Sequence, residues 1–285
     1  MLLACLLFLA QEPAAAPAFG AEGPAPVRVA TWNVENLFDR FDDPWTDDQR
    51  TKPAYASDAR LARLAAILIR LDADVVCLQE VENRWLLEQF NRESLGSLGY
   101  EVVLLEGNDG RGIDVALLSR LPVGAVTSYR HLRFADAEGR PQRFRRDLLR
   151  VRIGAPLNAD VYVVHLKSQH GGDPADVARL AEATQVAEIL GAELERDAGY
   201  RALIAGDFND VPESPTLKVL LEAGLVDACA GSDKVSYNRE PYLTRIDFLL
   251  LTPALAAGLV SAEILDTEEA AVASDHNPVE IGVKS

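Results

Sequence analysis

The sequence predicts an α/β domain in which mixed or antiparallel sheets are covered by helices. Short apolar runs bounded by turn residues recur from Val27 to Val283, and only two long amphipathic stretches stand among them. No repeat, low-complexity tract or long linker divides the chain, so one domain is drawn from residue 27 to residue 283. A purely parallel doubly wound sheet needs a crossover helix between neighbouring strands, and there are too few here. With 48% apolar residues in 285, the chain can bury one sizeable core.

The elements follow in order. A strand is expected from Val27 to Asn33. Ser57 or Asp58 caps a helix reaching Leu71, with Leu61, Leu64, Leu68 and Leu71 at helical spacing. Strands are then predicted at Asp74 to Glu80, Val102 to Leu105, Val115 to Ser119, Leu148 to Ile153 and Val161 to Leu166. A second helix, Asp176 to Arg196, leads through Gly199 into a strand from Arg201 to Asp207. Ile246 to Leu251 and Val279 to Val283 complete the set.

Ahead of the domain, Met1 to Ala10 form a short apolar run, followed by Ala, Pro and Gly as far as Pro26. Residues 1–26 resemble a secretory signal and cleavage region, which predicts a secreted or periplasmic protein. No basic residue precedes the run, a departure from the usual signal. The run is too short to cross a bilayer, so no stable membrane insertion is expected. Only four residues precede Cys5, which argues against lipidation. Cys77, inside Asp-Val-Val-Cys-Leu-Gln, reads as a small core residue. Cys77 and Cys229 could form one bridge in an oxidising compartment, although their spacing does not require it. No zinc pattern of Cys and His is present, and nothing indicates a protein partner; a monomer is expected.

The net charge of −16 opposes tight, sequence-independent attachment to a polyanion, which disfavours a histone-like or repressor-like role. The charge is uneven, however. Between Arg130 and Arg152 lie eight arginines and His131 against three acidic residues. That stretch admits two readings: a surface that attracts a phosphate backbone, or a solvated hairpin that offsets the acidic remainder. The segment 39–56, with Asp39, Asp42, Asp43, Asp47 and Asp48, reads as an acidic solvated loop. It lacks the glycine-centred pattern of a calcium loop.

Within Leu203-Ile-Ala-Gly-Asp-Phe-Asn-Asp210 an apolar run delivers Asp207 and Asn209. In an extended segment residues two apart point the same way, so a proton acceptor would stand beside an amide that can donate to an oxyanion. Gly-Asp and Asn-Asp are also ordinary turn formers, and the octet alone does not separate the two readings. Other strand ends carry similar groups: Thr-Trp-Asn33-Val-Glu-Asn, Leu-Gln-Glu80, Val-Val-His165-Leu-Lys, Arg-Ile-Asp247-Phe and Ser-Asp275-His276-Asn-Pro. Any one could be a cap or a satisfied buried group. If they meet at one lip, Glu80, Asp207, Asp247 and Asp275 repel one another, and a divalent cation relieves this. Oxygen donors without clustered Cys or His select a hard ion, Mg²⁺ or Mn²⁺.

Taken in order, and with Gly-Ile-Asp114-Val-Ala-Leu-Leu among them, these motifs resemble those of the endonuclease/exonuclease/phosphatase superfamily, from Thr31 to Pro278. The resemblance implies a four-layer α/β sandwich, two packed sheets flanked by helices with the site at one edge. It makes Glu80 the principal metal ligand, with Asn33 and Asp275 close to the ion or its waters. It assigns Asp207 to orienting and deprotonating the attacking water and Asn209 to holding a phosphate oxygen. His276, oriented by Asp247, would contact the same phosphate. His165 matches the histidine of DNase-like members that protonates the leaving oxygen, with Asp114 as its orienting partner. Arg111 is a candidate phosphate contact; Lys167 and His170 are left at the rim.

These readings converge on a secreted, metal-dependent phosphodiesterase, a nuclease acting on DNA or RNA, with nucleic acid as substrate. A phosphatase or phospholipase C-type hydrolase acting on inositol phosphates or sphingomyelin is the alternative. Aromatics are only 7% of residues, and Phe41, Trp45 and Tyr55 form at most a small apolar edge. A binding protein that has lost the chemistry would lack a central residue; none is missing.

Overall fold

The computed structural model describes residues 25–41 and 55–284. The signal-like segment up to residue 24 and the acidic stretch 42–54 lie outside the described residues. Among those described, the chain order is β1 (Val27–Leu37), α1 (Asp58–Leu71), β2 (Val75–Val81), α2 (Arg84–Ser94), β3 (Glu101–Leu104), β4 (Asp114–Ser119) and β5 (Val123–Ser128). A short hairpin of β6 (Phe134–Ala135) and β7 (Pro141–Gln142) precedes β8 (Leu149–Ile153), β9 (Ala159–His165), α3 (Asp173–Arg196) and β10 (Ala202–Asp207). The chain closes with α4 (Pro215–Glu222), β11 (Val226–Asp227), β12 (Asp247–Leu251), α5 (Pro253–Ala256), β13 (Leu259–Ile264), α6 (Glu268–Ala273) and β14 (Val279–Val283).

Two six-stranded sheets result, in the orders β13-β14-β1-β2-β4-β3 and β11-β12-β10-β9-β8-β5. Each has a single parallel pair at its centre, β1 with β2 and β9 with β10, and antiparallel neighbours elsewhere. The parallel pairs are the ones that enclose a long helix, α1 or α3, as a parallel connection requires. Alternation along the strands sorts side chains into layers. Val161, Val163, Leu203 and Ala205 meet Val29, Val75, Cys77 and Val115 between the sheets. Tyr162, Val164, Ala202 and Ile204 pack outward against Val186, Leu190, Leu217 and Leu220 of α3 and α4. On the other side Ala30, Trp32, Val76 and Leu78 cover Leu64, Leu68 and Leu71 of α1. The architecture is the four-layer α/β sandwich.

The expected strands all form, with ends within a few residues. Ser57 caps α1 as expected, its side chain accepting from Arg60 N. The second helix begins earlier than its periodicity suggested, at Asp173, because Pro174 fits the first turn. Sequence reading missed β5 and β13, edge strands whose residues are mostly exposed and show no apolar alternation. Cys77 and Cys229 are both buried free thiols. No described helix is long and apolar enough to cross a membrane.

Candidate active site at the strand ends

Strand register sets the site. Asp207 lies beside His165 in the parallel pair and opposite Asp247 in the antiparallel one, so three ionisable groups stand abreast at one edge of their sheet. On the facing sheet Asn33 pairs with Gln79, and Glu80 follows. The close β9–β10 contact depends on Gly206: a Cβ there would lie 2.0 Å from Val164 O. Glu35, Asn36, Glu80 and Asn209 all have left-handed backbones, with φ of 52°, 50°, 66° and 53°. Such conformations cost about 1–3 kcal/mol each and persist where surrounding contacts fix them.

Those contacts are visible. Arg60 donates to the carbonyls of Val34, Glu35 and Asn36, tying the bent end of β1 to α1. Glu80 Oε2 accepts from Asn36 N at 2.8 Å. Asn33 Nδ2 lies 3.0 Å from Asp207 Oδ2 and 3.4 Å from Glu80 Oε1, bridging the two sheets. The Ser274–His276 turn is held on β1: Ser274 Oγ donates to Asn33 O at 2.7 Å, Trp32 Nε1 to His276 O at 2.8 Å, and Asp275 N to Glu35 Oε2 at 3.0 Å.

His276 Nδ1 lies 2.8 Å from Asp247 Oδ2, and its Nε2 reaches within 3.8 Å of Asp207 Oδ2 and 3.9 Å of Asp275 Oδ1. Burial alone would favour the neutral ring, but Asp247, then Asp207 and Asp275, lift its pKa to about 10. Burial, reinforced by Asp247, pushes the Asp207 carboxyl above the ordinary carboxylate range. Asp275 is raised to about 6 by burial, with Glu35 and Glu80 adding to it. His165 behaves oppositely: burial, then Arg146 and Arg111, pull it well below its usual value. Its neutral ring presents Nε2 3.4 Å from Asp207 Oδ2 and 3.9 Å from Glu80 Oε1.

Glu80, His165, Asp207, Asn209, Asp275, His276 and Arg111 line one cleft of about 1160 Å³. Asp247 and Asn33 sit behind it. The extended alternation invoked for Asp207 and Asn209 stops at Asp207. The chain turns there, and Asn209 N folds back to donate to Asp207 Oδ1 at 2.8 Å. Asn209 Nδ2 spends one hydrogen on Leu166 O at 3.0 Å, which fixes the amide and leaves its second hydrogen for a ligand. Asp210, in the same octet, is spent on structure, accepting from Arg179 Nε and Thr216 Oγ1.

Asp114 makes no hydrogen bond to His165. Its carboxylate accepts from Gly107 N at 2.6 Å, while His165 Nδ1 is buried without a hydrogen-bond partner among the described residues. Burial raises Asp114 to about 7. Arg111 is at the cleft but paired with Asp109 at 3.3 Å. The arginine-rich stretch divides between both of its readings: Arg140, Arg150 and Arg152 are spent on Asp136, Asp160 and Glu193, whereas Arg145 and Arg146 line the cleft. Sequence reading missed Tyr237 and Tyr242, which line the same cleft; the Tyr237 ring meets His276 edge-on at 5.2 Å, and nothing in its local sequence marks it.

The donor set suits a hard divalent ion. Glu80 and Asp275 present carboxylate oxygens at the cleft, and the guanidinium of nearby Arg60 is taken by backbone carbonyls. Asn33 is oriented differently from expectation: its oxygen accepts from Glu35 N, so nitrogen faces the carboxylates. Asp207, Asp247 and His276 also offer atoms within 4.8 Å of one another. The short His276–Asp247 hydrogen bond already satisfies part of that buried trio, which makes the Glu80–Asp275 side the better place for an ion.

A sequence model of the Endonuclease/Exonuclease/phosphatase family matches residues 30–276. The chain belongs to that family. Members hydrolyse phosphoesters, and divalent metals are typical of them. The fold of this family protein is also that of a Bacteroides thetaiotaomicron endonuclease/exonuclease/phosphatase family protein (19% identity, TM-score 0.64, covering 92% of this chain and 98% of that one). An AP endonuclease from Archaeoglobus fulgidus is similar as well (21% identity, TM-score 0.59, 91% and 100%). Among curated relatives, the chain is 26% identical to bovine protein angel homolog 2 over 61% of its own length and 33% of that protein's. It is also 26% identical to a Schizosaccharomyces pombe inositol phosphosphingolipids phospholipase C, over 61% of its own length and 42% of that enzyme's. This family protein thus spans well under half of either relative.

Proposed function

We propose that the protein is a secreted, divalent-metal-dependent phosphodiesterase that cleaves nucleic acid, with residues 27–283 as its hydrolase domain. The observation that carries this is the position of the Asp207 carboxylate, within 4 Å of Asn33, His165 and His276 at the floor of an open cleft. A raised carboxyl pKa suits a general base working near neutral pH. In this reading a water proton passes to Asp207 as the water oxygen attacks phosphorus and the bond to the leaving oxygen breaks. Charged His276, steadied by Asp247, donates to a non-bridging phosphate oxygen, and Asn209 donates to the same group. Glu80 and Asp275 hold Mg²⁺ or Mn²⁺, which when bound neutralises phosphate charge; Asn33 sets the distance between Glu80 and Asp207. Neutral His165 directs an N–H at the floor and takes up a proton for the leaving oxygen once phosphate charge offsets its cationic neighbours.

The second reading, hydrolysis of an inositol phosphate or sphingolipid headgroup, draws on the likeness to the phosphosphingolipid phospholipase C and on exposed Trp85, edge-on to Phe41 at 6.2 Å. A panel separates the two: plasmid DNA, single-stranded DNA, RNA, bis(p-nitrophenyl) phosphate, inositol phosphates and sphingomyelin, each with Mg²⁺ and with EDTA. Metal-dependent cleavage of a polynucleotide is expected. Turnover confined to inositol phosphate or sphingomyelin would overturn the nuclease reading, and activity undiminished by EDTA would overturn metal dependence.

A further inference from the structure

The cleft brings basic and aromatic side chains together: Arg111, Arg145, Arg146, Lys167 and His170 line it along with Tyr237 and Tyr242. Among the basic residues, Arg111 and Arg146 share the carboxylate of Asp109. Arg145 and Lys167 differ. Arg145 is exposed and makes no ion pair among the described residues. Lys167 Nζ contacts only uncharged oxygens, Ser168 O, Ser168 Oγ and His170 O. In a chain of net charge −16, two cations without an acidic partner at the mouth of a cleft are a local exception.

Their nearest acid is occupied. Glu182, in the middle of α3 and 1% exposed, accepts from Arg145 N with one oxygen and from Lys167 N with the other, each at 2.7 Å. A buried carboxylate with two backbone donors is unavailable to either side chain, and it locks two separate loops side by side. Burial, then Arg146 and Arg145, lower the pKa of Lys167, the response of an ammonium crowded by like charges. Lys167 is two residues beyond His165, so this cationic pair lies next to the reacting centre, not on a remote face. In the same cleft, the rings of Tyr237 and Tyr242 offer stacking surface to unpaired bases.

We propose that Arg145 and Lys167, clamped together by Glu182, form a second phosphate subsite that receives the phosphate neighbouring the scissile one on a single-stranded polynucleotide. The subsite rests on the nuclease reading for its place along the substrate. It makes a strand with adjacent phosphates a better substrate than an isolated phosphodiester, and it makes Arg145 and Lys167 specificity residues.

The test is binding of a 5′-fluorescein-labelled thymidine octanucleotide in EDTA across a salt series, for the wild type and for Arg145→Ala/Lys167→Ala. Both substitutions are on the cleft wall outside the core, and a melting curve checks that the variant is folded. Affinity at about 0.1 M salt is expected to fall at least about tenfold. The slope of log K against log salt is expected to fall by ~0.7, for the one phosphate that is no longer neutralised on a single strand. Arg145→Lys, which keeps the charge, is expected to leave the slope at its wild-type value. An unchanged slope with affinity within about twofold overturns the subsite, as does failure of the wild type to bind. Turnover of bis(p-nitrophenyl) phosphate with Mg²⁺ reports separately on the hydrolase: if it is absent while the binding difference persists, the hydrolase reading falls and the anion subsite stands.

Discussion

Strands β1 and β2, linked through α1, carry Asn33 and Glu80 toward their carboxyl ends; strands β9 and β10, linked through α3, end in His165 and Asp207. The two units share a construction, a parallel pair whose carboxyl ends open on the same cleft, the usual place for a site in such sheets. They differ in what surrounds the polar ends. Around Glu80 the backbone is bent into left-handed conformations and Asp275 is nearby, leaving oxygen atoms at the cleft. Around Asp207 the environment is buried and hydrogen-bonded, with His276 and Asp247 close by. In the proposed reading the first side holds a cation and the second moves a proton, and Asn33 Nδ2 contacts a carboxylate of each.

That division can be broken one side at a time. On the cation side, Glu80→Gln keeps the shape and removes the charge. The Mg²⁺ concentration giving half-maximal turnover is expected to rise by about tenfold or more, since even residues supporting a metal ligand change affinity about 10–100-fold. An unchanged Mg²⁺ titration would remove Glu80 from the metal site.

The smallest effect on activity is expected at Asp114, which sequence reading had placed on the proton side. Asp114→Asn keeps the bond from Gly107 and removes a buried charge, so turnover should stay within about threefold. Stability carries the signal instead. The folded-state pKa of about 7 exceeds the unfolded value of ~3.9. The folded protein therefore binds this proton more tightly, and wild-type stability falls as pH rises through that window. The variant should melt at least about 2 °C higher than wild type at pH 8.5, with the gain vanishing below about pH 4. A large loss of turnover with no melting gain would restore Asp114 as a working partner of His165.

How much of this was legible follows from where each signal resides. Apolar runs ending in Asn33, Glu80, His165, Asp207 and Asp247 show as strands with polar ends, because buried central strands are apolar on both faces. Edge strands β5 and β13 lack that signature. Helix α2 had one, Leu86, Leu87 and Phe90 behind an Asn83 cap, and was overlooked. Asp114 shows why position alone misleads: a carboxylate at a strand end can turn toward a loop amide as readily as toward a cleft. Glu182 was not legible at all. A glutamate within a helical pattern reads as a solvated residue, and only the fold reveals that its two acceptors meet Arg145 N and Lys167 N. Tyr237 joins the site through the bridge between its backbone and that of His276, a long-range pairing invisible to local pattern.

The most direct measurement of the central claim is steady-state turnover of bis(p-nitrophenyl) phosphate by Asp207→Asn at saturating Mg²⁺, alongside its melting curve. Removing a general base while keeping its shape is expected to lower kcat by about 10²- to 10⁴-fold, with folding and the Mg²⁺ titration largely retained. A kcat within about tenfold of wild type in a folded variant would contradict the assignment of proton transfer to Asp207.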